Sequence, residues 1–193
     1  MNKHKLTILS AAIGLVMSAS AMGGTLSESQ YQTGKDDIAT RHKSDQAACE
    51  AMAGNAKDVC AAETDGRESI ARAELEAAYA PSPTHRYDVR IAQANASYAI
   101  ANEKCDEFAG NVQDVCRKEA KSAEVAARAD AELMQKTGAA NASASDENAA
   151  AARKAAMEKR DAAYAVAKEK CDSLADDAQA SCIAEARKLH GQS

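Results

Sequence analysis

Apolar residues recur along this chain at intervals of three and four over long stretches. The clearest run is Ile91, Ala94, Tyr98, Ala101, Cys105 and Phe108. That period belongs to an α-helix with one buried stripe. A second stripe follows through Cys116, Ala120, Ala123, Ala127 and Met134. A third runs through Met157, Tyr164, Ala167, Cys171 and Leu174, interrupted by Arg160. Nearer the start, Ile38, Cys49 and Met52 fit the same pattern and Asp45 does not. These stripes predict long amphipathic helices packed on one another, with alanines that let the helix axes approach closely.

Between paired stripes lies a short break, and the cysteines frame it. They stand at 49, 60, 105, 116, 171 and 182, each pair enclosing ten residues. Aligned on them, three segments match. They are Cys-Glu-Ala-Met-Ala-Gly-Asn-Ala-Lys-Asp-Val-Cys from Cys49, Cys-Asp-Glu-Phe-Ala-Gly-Asn-Val-Gln-Asp-Val-Cys from Cys105, and Cys-Asp-Ser-Leu-Ala-Asp-Asp-Ala-Gln-Ala-Ser-Cys from Cys171. The match extends upstream, where Tyr98-Ala-Ile-Ala-Asn-Glu-Lys parallels Tyr164-Ala-Val-Ala-Lys-Glu-Lys; the first copy carries His42 in place of the tyrosine. Such periodic self-similarity is the mark of a repeat architecture. Within each break, Gly54 and Gly110 suit a left-handed position just past a helix end. Asn55 and Asn111 suit an N-cap, with Asp58 and Asp114 in the following first turn. In the third copy Asp177 can cap, but Asp176 stands where the glycine would be. The expected fold is therefore all-α: three antiparallel helical hairpins, forming either one bundle or an extended array.

Composition changes the picture in one respect. Hydrophobic residues make up 46% of the chain, yet there is no Trp and a single Phe. Alanine favours helix but contributes little on burial, so the core is thin and needs other support. Six cysteines allow 15 disulfide pairings in principle. In an antiparallel hairpin the two cysteines of one copy face each other, and the repeat favours Cys49–Cys60, Cys105–Cys116 and Cys171–Cys182.

The first residues bear on where such bonds could form. Met1 to Lys5 is basic, Leu6 to Met17 is apolar, and Ala19-Ser-Ala21 follows. These are the parts of a secretory signal peptide, too short for a transmembrane helix. Cleavage is expected after Ala21, giving an exported, periplasmic chain in which disulfides are structural. The expected map is a signal peptide at 1–21, a disordered stretch at 22–34, hairpins at 35–80, 84–137 and 146–190, and a linker over 138–145. Prolines 81 and 83 fall in the turn after the first hairpin.

Charge and motifs narrow the function. Removing Lys3 and Lys5 leaves 22 Lys and Arg against 29 Asp and Glu, a balance that argues against nucleic acid and anionic lipid as partners. No metal-site, haem-attachment, redox Cys-x-x-Cys, phosphate-loop or nucleophile-elbow motif occurs. His42, His85 and His190 are far apart in sequence, and His42 and His85 read as surface residues. Asn95-Ala-Ser and Asn141-Ala-Ser match the glycosylation triplet, but the precursor reads as bacterial and Asn95 falls inside a predicted helix. Neither an enzyme nor a cofactor is expected. Over the blocks Tyr98 to Lys121 and Tyr164 to Lys188, the chain resembles a group of Ala-rich, Cys-paired periplasmic repeat proteins sometimes labelled TolA-like cell envelope biogenesis proteins. That resemblance implies an envelope-associated helical protein. The expected role is binding of proteins or envelope components through helix faces. A stress holdase, and a metal or thiol buffer built on the cysteines, stand as alternatives. Self-association through the alanine seams is a further expectation.

Overall fold

The computed structural model describes residues 25–138 and 145–192. Among them the chain forms six α-helices and no strand: α1 (Glu28–Cys49), α2 (Asn55–Tyr79), α3 (Pro83–Lys104), α4 (Asn111–Gly138), α5 (Ser145–Cys171) and α6 (Asp176–Leu189), with a short 3-10 turn, Cys105–Glu107, closing α3. The expected signal peptide and residues 139–144 of the expected linker lie outside the described residues. Each helix packs on the next in the chain, so three hairpins stand side by side in sequence order, as in a repeat array.

Local signals explain the boundaries. Pro83 occupies the first helical position of α3, where its missing N–H is no loss, and Ser82 caps that helix by accepting from the His85 N–H at 2.9 Å. The start of α1 corrects the expectation of disorder at 22–34 over its described part, residues 25–34; residues 22–24 lie outside the described residues. The helix begins at Glu28 behind a capping box, in which Ser27 accepts from the Gln30 N–H and the Gln30 side chain accepts from the Ser27 N–H. Two long-range contacts then hold this turn. The Tyr31 ring stacks on Tyr79 with centroids 4.4 Å apart, and Tyr79 donates to Glu28 at 2.6 Å. Leu75 of α2 lies over Gly34, where a Cβ would meet it at 2.7 Å.

The core is made of alanine and cystine. Buried positions include Ala92, Ala94, Ala96, Ala120, Ala129, Ala131, Ala151, Ala155 and Ala186, together with Cys49, Cys105 and Cys171. The larger members expected in the stripes point outward instead: Met52, Phe108, Met134, Met157 and Leu174 are all exposed. At the α2–α3 crossing a Cβ on Gly66 would stand 2.8 Å from the Ala96 Cβ. With so little apolar volume buried, the disulfides carry much of the hairpin stability, roughly 3 kcal/mol each in the chain-entropy view.

Candidate functional site at the hairpin tips

Each hairpin is stapled just below its tip. The structure joins Cys49 to Cys60, Cys105 to Cys116 and Cys171 to Cys182, with Cα atoms 5.5, 5.6 and 5.7 Å apart. The first cysteine of each pair is buried. In hairpin 1, Cys49 Sγ lies 3.5 Å from the hydroxyl of Thr64, the most deeply buried polar side chain described.

Above each staple the helix ends and the chain turns. Met52, Phe108 and Leu174 each stand three residues past the first cysteine of their repeat, at 47%, 47% and 43% exposure. Scattered exposed apolar residues are ordinary on any surface; here the same turn position repeats. The tips share one edge of the array. Lys104 of α3 pairs with Glu63 of α2 at 3.9 Å, and Lys170 of α5 pairs with Glu119 of α4 at 2.7 Å, each close to a staple. Asn111, at the second tip, donates to the Glu169 carbonyl beside the third at 3.0 Å. The edge is thus a row of three large apolar side chains in acidic surroundings. The segments 50–59, 106–115 and 172–181 hold eight acids and one lysine. Asp106 is paired with Arg117 at 2.7 Å, and Glu50 with Lys57 at 3.9 Å.

The turn residues work differently from the sequence expectation. Gly54 and Gly110 do have positive φ, 57° and 59°, but each directly precedes a helix start instead of closing the helix before. Gly54 combines that φ with ψ −152°, a region open essentially to glycine alone. Asp176 takes the matching place in hairpin 3 at φ 49°, and a short polar side chain tolerates that conformation better than most. Asn55 makes no capping bond; its side-chain nitrogen is buried with no partner among the described residues. Asn111 tethers two hairpins. Asp177 lies inside the first turn of α6, whose start has no side-chain cap.

The stems of hairpins 1 and 2 each carry a groove at the same register, with different contents. In hairpin 2 a groove of about 370 Å³ has an alanine floor of Ala94, Ala101, Ala120, Ala123 and Ala127, edged by Tyr98 and Met134. In hairpin 1 the matching groove, about 250 Å³, is crossed by charged side chains. There His42 places Nε2 2.8 Å from Asp65 and Nδ1 3.3 Å from Glu68, while Arg67 reaches Asp45 at 3.2 Å. His42 is therefore a half-buried bridge between α1 and α2, correcting its reading as a plain surface residue. His85 and His190 sit at helix ends in the other hairpins, beside the Ala80 carbonyl at 2.5 Å and near the Tyr164 ring. No cluster of three or more metal-ligating side chains occurs among the described residues.

Two polar clasps show shifted acidities. Hydrogen bonds from Gln32 and then Tyr79 hold the Glu28 carboxyl below its ordinary range. The bond to Glu76 raises the Tyr31 phenol, and the bond to Glu28 raises that of Tyr79. Between α4 and α5, bonds from Lys136 and Lys154 lower the Glu132 carboxyl, and the Lys154 ammonium is raised in turn by Glu132. These clasps tie helices to one another, α1 to α2 and α4 to α5.

No described helix is long and apolar enough to cross a membrane. The tip row escaped the sequence reading because the helical stripe was extended through Met52, Phe108 and Leu174. The signal that separates them is the neighbouring turn, which lifts them off the helix face. Compared with known proteins, the chain matches no family model, no curated protein and no solved structure.

Proposed function

We propose that this chain is a non-catalytic exported protein, periplasmic in a bacterial envelope, that binds another protein through its row of hairpin tips. The observation that carries the reading is the threefold recurrence of a large exposed apolar residue, Met52, Phe108 and Leu174, at one turn position above three rigid staples. Repetition of one weak contact on one edge gives avidity without any single strong site. Three disulfides fit an oxidising compartment, and the apolar segment Leu6–Met17 supplies the export signal in this reading. The acidic tips favour a protein partner over an anionic lipid surface. The resemblance to envelope proteins agrees with such a role.

The test is crosslinking in cells from a photoreactive residue at position 112, exposed beside the second tip, placed in the unaltered chain and, as control, in the serine triple variant Met52→Ser, Phe108→Ser, Leu174→Ser. A discrete crosslinked partner that the triple variant no longer retains is expected. Absence of any partner, or full retention by the triple variant, would overturn the tip reading. The holdase alternative draws on the same exposed residues. It would be favoured if the purified protein suppressed aggregation of a denatured client, and dropped if it had no effect. A metal or thiol buffer predicts free thiols or bound metal in protein taken from the periplasm, and intact mass spectrometry with thiol trapping tests it; among the described residues all six cysteines are paired.

A further inference from the structure

We infer that the two outer faces of the hairpin row are closed to other copies of this chain, so that molecules do not add head to tail. The inference stands apart from the tip reading, because it rests on register within the array.

The contact of α2 with α3 and that of α4 with α5 are one interface used twice. Counted from the first cysteine of each repeat, the ion pairs Glu63–Lys104 and Glu119–Lys170 fall at identical positions. Asn55 and Asn111 also share a position; Asn111 donates to the Glu169 carbonyl across the seam, whereas the buried Asn55 nitrogen has no partner among the described residues. The receiving helix offers small residues at this seam: Ala92, Ala96 and Ala99 in α3, and Ala162 and Ala165 at the last two of those positions in α5, none of them exposed. The need for small size is direct, since Gly66 lies against Ala96 with no space for a Cβ.

A second molecule extending the row would seat its α1 on α6 in this register. The matching strip of α1 is Asp36, Thr40 and Lys43, all exposed. An acid at the Asp36 position is compatible with the seam, since Glu158 stands there in α5, but the larger side chains of Thr40 and Lys43 hold the axes apart, and burying Lys43 without a partner is costly. The Glu-Lys pair that precedes Cys105 and Cys171 is Ala47-Ala48 before Cys49. On α6, Glu185 keeps the position of Glu63 and Glu119, but the lysine it would need is Ala48. Asp177 occupies the position of Asn111, so a carboxylate would face a carbonyl where an amide donates. Lys188 takes the place of Gly66 and Ser122. Both ends therefore depart from the seam at the positions on which it depends: Thr40, Lys43 and Lys188 put larger polar side chains where the seam is small, Asp177 replaces the amide donor, and Ala48 removes the lysine. Polar outer faces on terminal units are what keep repeat arrays from growing.

The test is sedimentation velocity across a wide concentration range. The unaltered chain should keep the mass of one molecule throughout. A variant opened on one face (Thr40→Ala, Lys43→Ala, Ala48→Lys) mixed with one opened on the other (Asp177→Asn, Lys188→Ser) should form a one-to-one pair, and all five changes in one chain should give longer chains. An unaltered chain that grows with concentration, or opened variants that stay single, would overturn the inference. A converse variant keeps it testable without assembly. Ala99→Lys places the α1 residue in the internal seam and should speed amide exchange in α2 and α3 about tenfold or more, the effect of a poorly paired charge at a packed seam. Unchanged exchange would also overturn it.

Discussion

Hairpins 1 and 2 share a backbone plan, a staple and a groove register, yet they are held together by different physics. Hairpin 1 is laced by polar contacts between its helices: His42 to Asp65 and Glu68, Arg67 to Asp45, and the tyrosine pair at its far end. Hairpin 2 replaces the groove-filling pair Asp45 and Arg67 with Ala101 and Ala123, and carries Tyr98 where His42 stands. Its seam is mostly alanine on alanine, with Ala94, Ala120 and Ala131 buried. The difference teaches that one stapled hairpin tolerates two kinds of interior. The staple fixes the register, and the seam is then free to be polar or apolar.

The largest effect should come from the staples. Replacing Cys105 and Cys116 by serine should cost roughly 3 kcal/mol, and the same change at Cys49 and Cys60 a similar amount, because the closed loops are equal in length. Thermal or denaturant unfolding of both double variants checks this; a much smaller loss in hairpin 1 would show that its polar lacing substitutes for the bond. Next, His42→Ala should cost about 1 kcal/mol or less, because Asp65 is largely exposed and Glu68 keeps its pair with Arg72. Tyr98→Ala at the same register in hairpin 2 offers the comparison. Moving the polar pair across, with Ala101→Asp and Ala123→Arg, should change stability by less than about 1 kcal/mol, as a solvent-facing ion pair does; a larger effect would mean that the alanine groove matters to the seam.

The smallest effect is a local response to pH at the open end of hairpin 1. Glu28 has its folded acidity lowered, so its contribution is present above its unfolded value, about 4.3, and is lost as pH falls through the folded one. Tyr31 and Tyr79 are raised, so theirs is present below about 10 and lost as pH climbs through the folded values. Amide protection over the first turns of α1, taken relative to the intrinsic exchange rate at each pH, should therefore fall at both extremes. No change at either would show that this clasp adds nothing in solution.

Much of this architecture was legible because periodicity and cysteine spacing report directly on helix packing. The hairpins, the turn at Pro81 to Pro83 and the staples all follow from patterns of a few residues. The entry to α1 was missed because composition around Thr25 to Gly34 is polar, although Ser27 and Gln30 spell a capping box and the anchoring tyrosine lies 48 residues away, at Tyr79. The asparagines were legible as turn residues but not as tethers, since the partner of Asn111 is a carbonyl in another hairpin. The exposure of Met52, Phe108 and Leu174 was hidden for a related reason. A stripe counted along the sequence does not register where the helix stops.

The placement of the staples has a consequence for proteolysis. Each disulfide encloses only the tip, with the whole stem outside it. A protease that cuts at an exposed tip, beside Phe108 for example, therefore releases nothing: the two new ends stay joined through Cys105 and Cys116. The nicked protein would migrate as an intact chain until reduced, so damage at the three tips is covalently contained.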